Sequence, residues 1–369
     1  MDSGCRALIA ERIRQRGPIT VAEYMDLALY APEVGYYARA NRRSGRTGDF
    51  FTSVDAGPVF GALLSECFAA WWRSLGGGAR GPARLDLVEA AAGDGRLTRD
   101  ILDAAARRDP DFYEAIAAHT VERSAEARAA QADVLASHCS RLASSGRDLP
   151  ASIDGVVFAN ELLDAFPVHL VEMGDGGLRE VYVDLEADRL VDRPGPPSSP
   201  ALAEYLADAG ATLDEGARAE INLAAVAWIS GAAARLRRGF LTIIDYGYEA
   251  AELYSEARRQ GTLSTYHRHL LDAPEPGSPP GPAWLADPGN RDLTSHVDLT
   301  SVRRAAERAG LETVSIAPQT RFLLDILEGS PLVAELSAPD RLADRLALKT
   351  LLMPGGLGST LTVMVFAKR

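Results

Sequence analysis

Apolar positions along the chain follow two rhythms. Residues 4–16 and 20–30 carry helical spacing, separated by Gly17-Pro18, with Thr20 as an N-cap and Glu23 three residues on. Pro32 closes the second helix, and Gly35-Tyr36-Tyr37 leads into a Gly/Arg-rich loop ending in Gly48-Asp49-Phe50-Phe51-Thr52-Ser53. A further apolar helix is predicted over 59–75, before the linker-like Gly76-Gly77-Gly78. From residue 84 onward short apolar runs alternate with helical stretches, the sign of a parallel sheet with crossovers. Strands are predicted at 84–91, 119–122, 155–160 and 240–245, with helices at 97–108, 125–137, about 215–236 and 299–309. Residues 311–317 and 360–367 read as closing antiparallel strands.

Two insertions interrupt this alternation. Residues 168–185 read as a β-ribbon around Gly174-Asp175-Gly176-Gly177, followed by a loop over 194–200. Residues 246–296 contain a Pro/Gly-rich loop at 274–282, which reads as irregular surface. The chain of 369 residues therefore reads as one elaborated α/β domain.

Composition narrows the chemistry. A hydrophobic fraction of 47% with 24% charged residues excludes a mainly disordered or membrane-bundle chain. The net charge of −12 argues against broad capture of nucleic acid or an anionic membrane. Three separated cysteines, Cys5, Cys67 and Cys139, make no disulfide framework or C-x-x-C zinc pair, which fits a reducing compartment. Residues 1–16 are charged throughout without an apolar stretch, and no run of about 18 apolar residues occurs. A cytosolic protein without membrane insertion is expected.

The most informative local feature is Leu85-Asp86-Leu87-Val88-Glu89-Ala90-Ala91-Ala92-Gly93-Asp94-Gly95-Arg96-Leu97. A strand ends in an acid, and a turn of small residues opens a helix whose first amides are free to meet a polar group. Glu122 ends the neighbouring strand, placed to accept hydrogen bonds from ribose hydroxyls. A dinucleotide fingerprint fails at its third position, Thr98. The acid-x-G-x-G-x-G pattern of S-adenosylmethionine (SAM) sites fits better, through Glu89, Gly93 and Gly95. Ala91 replaces the first glycine of that pattern, and alanine accommodates a turn at negative φ. A plain packing turn remains the alternative.

With these runs in order, the chain resembles the MidA family of SAM-dependent methyltransferases, whose mitochondrial member is a protein arginine methyltransferase of respiratory complex I assembly. The resemblance runs nearly end to end. It includes Tyr24-Met25, Gly35-Tyr36-Tyr37, the 48–53 loop, Val121-Glu122-Arg123-Ser124 with Gln131, and 159–167. It continues through Ile244-Asp245-Tyr246-Gly247, 259–263, Tyr266 with His269, 292–298 and Gln319-Thr320-Arg321-Phe322-Leu323. It implies a Rossmann-like class I methyltransferase sheet with an N-terminal helical cap and two insertions. The cap and a cofactor-covering loop would span 1–80, and the core 81–369, with insertions at about 168–214 and 246–296.

The resemblance also implies roles. Gly48, Asp49, Phe50 and Thr52 would cover the cofactor, Asp49 and Thr52 on the amino-acid end and Phe50 over the sulfonium. The alternative is a turn with a buried aromatic. Glu89, Ala91, Gly93, Gly95, Glu122 and Asn160 would complete the SAM site. Asn160, Glu161, Asp164 and Tyr246 are the catalytic candidates, the carboxylates gripping a guanidinium bidentately. Local capping by Asn160-Glu161 and a core role for Tyr246 stand beside that reading. His267, His269 and His296 lack a metal-binding pattern, and no metal is expected. The acceptor would be a protein, by family resemblance a respiratory-complex subunit. Ala91 and Asp94, which depart from the family's usual turn, leave a non-catalytic assembly factor as the second reading; a nicotinamide-dependent oxidoreductase is a third, disfavoured by Thr98.

Overall fold

Strands buried on both faces read as unbroken apolar runs, and such runs build the centre of the molecule. In the computed structural model, residues 4–38, 52–78, 84–267, 270–271, 281–353 and 357–369 are described. Seven strands make the main sheet: β1 (Leu85–Ala90), β2 (Ile116–Val121), β3 (Leu142–Gly146), β4 (Ile153–Asn160), β5 (Leu236–Tyr248), β6 (Glu312–Pro318) and β7 (Leu361–Lys368). Their order is β6-β7-β5-β4-β1-β2-β3, with a two-residue strand, Val297–Asp298, added beside the end of β5. β3, β2, β1, β4 and β5 are mutually parallel, while β7 runs antiparallel to both β5 and β6.

Side chains of successive residues go to opposite faces. Leu85, Leu87, Val156 and Phe158 join one core with the helices α3 (Pro58–Ser74) and α4 (Arg96–Arg108). Val88, Ala90, Val157 and Ala159 join the other, under helices Leu223–Arg235 and Leu299–Arg308. The chain winds outward in both directions from β1 and β4, which lie side by side with Ala90 opposite Ala159. The crevice above that junction is where an open parallel sheet receives a ligand.

The N-terminal helices α1 (Gly4–Arg16) and α2 (Val21–Tyr30) lie on a second sheet made largely by the first insertion. Ile19 and Thr20 pair with Val183 and Tyr182. Apolar residues of α1, α2 and this ribbon share one core with Trp284, Leu285 and Leu293 of the second insertion. Thr20 caps α2 as expected, accepting from the Glu23 amide at 3.1 Å.

Two readings need correction. The expected helix over 215–236 is a strand, Arg218–Ile221, followed by the helix Leu223–Arg235. Ala219 and Ile221 bury against Val171 and His169 across a ladder, and Asn222 restarts the chain as an N-cap for the Ala225 amide at 2.8 Å. The supposed loop at 194–200 begins inside a strand, Arg189–Gly195, paired along Gly177–Glu186. Helices Gln319–Leu327, Pro331–Leu336 and Leu342–Leu352 fill the stretch between β6 and β7. Among the described residues no helix is long and apolar enough to cross a membrane.

Candidate functional site

The loop after β1 is held from three sides. The Ala92 amide donates to the Val121 carbonyl at 3.1 Å, and the Gly95 amide to Ala92 at 2.8 Å. Gln131, fully buried, donates from Nε2 to the Gly93 carbonyl at 2.7 Å. Ala91, Gly93 and Gly95 all take left-handed conformations, with φ of 57°, 53° and 88°. The negative φ expected at Ala91 is therefore wrong: the turn demands the conformation that glycine adopts freely, and alanine meets it under strain. Nothing lies within 4 Å of where a Gly93 Cβ would stand, so the outer side of the loop is open.

Two strand-ending acids serve this turn. Glu89 is buried beneath it and accepts from the Thr98 amide at 3.1 Å and from the Thr98 hydroxyl, acting as a remote cap for α4. Burial pushes the Glu89 carboxyl up to about 8, against the two Thr98 bonds. Glu122 accepts from the Gly93 amide at 2.9 Å through one oxygen and from the Ser124 amide at 2.7 Å through the other. Each oxygen keeps a second lone pair, so Glu122 can still accept from a ligand at the turn.

Residues 52–56 lie against the start of α4. The Thr52 amide and hydroxyl both donate to Asp55 Oδ2 at 3.0 Å, and Arg96 Nη2 donates to Asp55 Oδ1 at 3.1 Å. Ser53 donates to Gln319 at 3.0 Å. Gly48, Asp49 and Phe50, assigned to cover the cofactor, lie outside the described residues, as does His269.

A second group of acids gathers where β4 and β5 end. Asp245 is 1% exposed and accepts from the Leu162, Leu163 and Tyr246 amides at 3.1, 2.7 and 2.8 Å. Burial raises its carboxyl to about 6, with those amides opposing. Glu161 has φ of 52°, and its carboxylate receives Asn160 Nδ2 at 3.0 Å. Burial and then the Asp245 charge raise Glu161 to about 8, while Asn160 and the Ser53 amide oppose. Asp164 is buried, and burial, followed by the charges of Asp245, Glu161 and Asp292, holds it well above the usual carboxylate range. Among the described residues no Arg, Lys or His forms an ion pair with Glu161, Asp164 or Asp245. Tyr246 is half-buried beside Leu361 and packs on the core that contains α3. Among the described residues no group of three or more His, Cys, Asp or Glu side chains could hold a metal ion.

Gln131, Asp245 and Asp292 lie in runs that carry the resemblance but were given no site role from the sequence. Asp245 carries the same signal as Glu89 and Glu122, an acid at the end of an apolar strand. Gln131 belongs to those runs, but as a glutamine on a helix, ordinarily solvent-exposed, it gave no sign of a role at the turn.

An open turn with left-handed glycines, a helix start beyond it and a carboxylate with spare lone pairs form a donor and acceptor set suited to SAM. Comparison with known proteins agrees. Residues 63–317 match a family model described as "Putative S-adenosyl-L-methionine-dependent methyltransferase". "Protein arginine methyltransferase NDUFAF7, mitochondrial" of Mus musculus is 30% identical over 361 residues, covering 85% of this chain and 74% of that protein. The Drosophila melanogaster homolog is 29% identical, covering 81% and 69%. A Burkholderia thailandensis protein crystallised with S-adenosyl-homocysteine is 30% identical, with a TM-score of 0.83 over 99% of this chain and 92% of that one. The curated relatives are mitochondrial proteins, which overturns the cytosolic expectation drawn from cysteine usage and the N-terminal residues. The chain belongs to this family of SAM-dependent methyltransferases, and SAM is its cofactor.

Proposed function

We propose that the protein methylates arginine in a protein acceptor. The observation that carries this reading is the group formed by half-buried Glu161 with buried Asp164 and Asp245, three carboxyls without a cationic partner among the described residues. A guanidinium keeps its charge and presents paired donors, so it is the side chain that repays such a site. The relatives named protein arginine methyltransferases support the same acceptor.

When bound, SAM supplies a methyl group on a sulfonium centre. The chain's own residues then have separable tasks. Glu122 accepts from the ribose hydroxyls, and Gly93 and Gly95 let the cofactor approach the backbone. Glu89 keeps the first turn of α4 in place from below. Glu161 and Asp164, ionised on contact with the acceptor cation, align one guanidinium nitrogen with the methyl. Raised carboxyls are suited to taking up the proton that the nitrogen sheds, because their proton affinity is far above that of a solvated carboxylate. Asp245 positions this pair by fixing the 161–163 turn through its bonds to the Leu162 and Leu163 amides.

The test is mass spectrometry of host proteins with and without the chain, searching arginines for mass increments of one and two methyl groups. Loss of arginine marks is the expected result. Binding of S-adenosyl-homocysteine with no mark lost on any residue would favour a non-catalytic assembly role instead.

A further inference from the structure

Four buried polar atoms near the carboxyl ends of β4 and β5 have no hydrogen-bond partner: Asn160 Oδ1, Asp164 Oδ1, Ser295 Oγ and His296 Nδ1. Protein interiors pair nearly all such groups, so four orphans in one neighbourhood mark a place where a ligand supplies the partners. They come from segments that the fold ties together. The Ser295 amide donates to the Asp164 carbonyl at 3.0 Å. Val297–Asp298, just past His296, runs parallel to Gly247 and Tyr248 at the end of β5. Asn160 pairs with Ile244 on the same strand. Ser295 is 2% and Asp164 8% exposed, so neither can turn to bulk water for a partner.

His296 is held in place from two sides. Its amide donates to Thr262 Oγ1 at 3.0 Å, and its ring packs on Tyr248 at 5.1 Å between centroids. Arg258, which lies over the same tyrosine at 3.6 Å and bonds to Glu252, is committed there. Burial and then the Arg258 charge hold the His296 imidazole below its ordinary value, so the ring is neutral at neutral pH. With its proton on Nε2, Nδ1 is an acceptor.

All four orphan atoms can accept a hydrogen bond. The complementary ligand is one rich in donors and without acceptors. A guanidinium offers five N–H donors in one plane, and an ammonium only three around a point. We propose that Ser295 and His296 are specificity-determining residues of the acceptor pocket, completing with Asn160 and Asp164 an acceptor set that takes a guanidinium in preference to an ammonium. The inference rests on the arginine reading above and adds two residues from the second insertion, a segment distant in sequence from the acid pair.

The test uses the full chain saturated with S-adenosyl-homocysteine, titrated calorimetrically with Gly-Gly-Arg-Gly-Gly and with its lysine counterpart. The wild-type protein is expected to bind the arginine peptide about tenfold more tightly, the net of one to two extra hydrogen bonds. S295A and H296L should each weaken the arginine peptide about five- to tenfold and leave the lysine peptide within about twofold. H296N, whose amide oxygen can stand in for Nδ1, should recover much of the loss, which a purely structural role of the ring does not predict. Unaltered thermal midpoints and unaltered S-adenosyl-homocysteine affinity verify an intact fold and cofactor site. Wild-type arginine affinity in both S295A and H296L overturns the proposal alone, provided D164N still loses it. No preference for arginine in the liganded wild-type protein overturns the arginine reading as well. If H296L does not fold, S295A decides, since its hydroxyl has no partner to forfeit.

Discussion

Ala91 offers a test of whether the glycine turn is strained. Its φ of 57° is a conformation that costs an L-residue with a Cβ roughly 1–2 kcal/mol. The turn imposes it, because the Ala92 and Gly95 amides are already committed at 3.1 and 2.8 Å. Ala91 itself is exposed, so its methyl gains little from packing. Ala91→Gly removes the strain and returns roughly 0.4–1 kcal/mol to the unfolded chain as added freedom. The balance is a net stabilisation of about 0.5–1 kcal/mol. In a chain of 369 residues that corresponds to a midpoint rise of roughly 1–2 °C. Differential scanning fluorimetry without ligand reads the first effect, and titration with S-adenosyl-homocysteine reads the second, an affinity equal to or tighter than wild type. A lower midpoint for A91G would refute the strain argument and show that the methyl makes a contact worth more than the dihedral costs.

Four further outcomes follow from the same geometry. Gly93→Ala places a Cβ in open space but at φ of 53°, so it should cost about 1 kcal/mol in stability while weakening S-adenosyl-homocysteine far more, by blocking its approach. A G93A protein that binds like wild type would move the cofactor off this turn. Glu122→Ala should weaken S-adenosyl-homocysteine by about 1.5–3 kcal/mol, and unchanged affinity by calorimetry would displace the ribose from Glu122. Acceptor KM should fall as pH rises through about 8, because Glu161 must ionise to hold a cation, and steady-state kinetics across that range decides it. Glu89, raised to about 8, binds more protons folded than unfolded, so its contribution to stability is present at acid pH and is lost on passing from about 4.5 to about 8. Denaturant melts at pH 5.5 and 8 should show Glu89→Gln flattening that decline, and an equal slope in both proteins would contradict it.

The sheet was legible because period-two and unbroken apolar runs are imposed by burial on both faces, and each predicted core strand lies within four residues of its observed bounds. The misread stretch at 215–236 failed for a physical reason. Ala219 and Ile221 have helix-compatible spacing with the run after Asn222, and only the partner at 169–172, some fifty residues earlier, makes them a strand. The sign of φ at Ala91 was equally hidden, since it is set by amide bonds to Val121 and within the turn rather than by the residue's own preference.

The acids show where sequence reading stops and geometry begins. Glu89, Glu122 and Asp245 all end, or directly follow, apolar strands of one sheet, and in the sequence they are equivalent. The fold separates them by what their oxygens meet. Glu89 is spent on the cap of α4, and Asp245 on three amides of the 161–163 turn and its own strand. Glu122 holds the turn from its edge and is the one of the three left half-buried at the opening. All three strand-ending acids therefore bond backbone amides, and the carboxyls proposed to grip an acceptor, Glu161 and Asp164, come from the loop that Asp245 fixes. Removing Asp245 should thus abolish acceptor binding without its ever touching the acceptor. Asp245→Asn keeps the size but turns one accepting oxygen into a donor facing amides, and the expected loss is a few kcal/mol of stability. If D245N, measured at a temperature where it remains folded, binds the arginine peptide like wild type, then the 161–163 turn does not depend on Asp245 and the division of labour argued here is wrong.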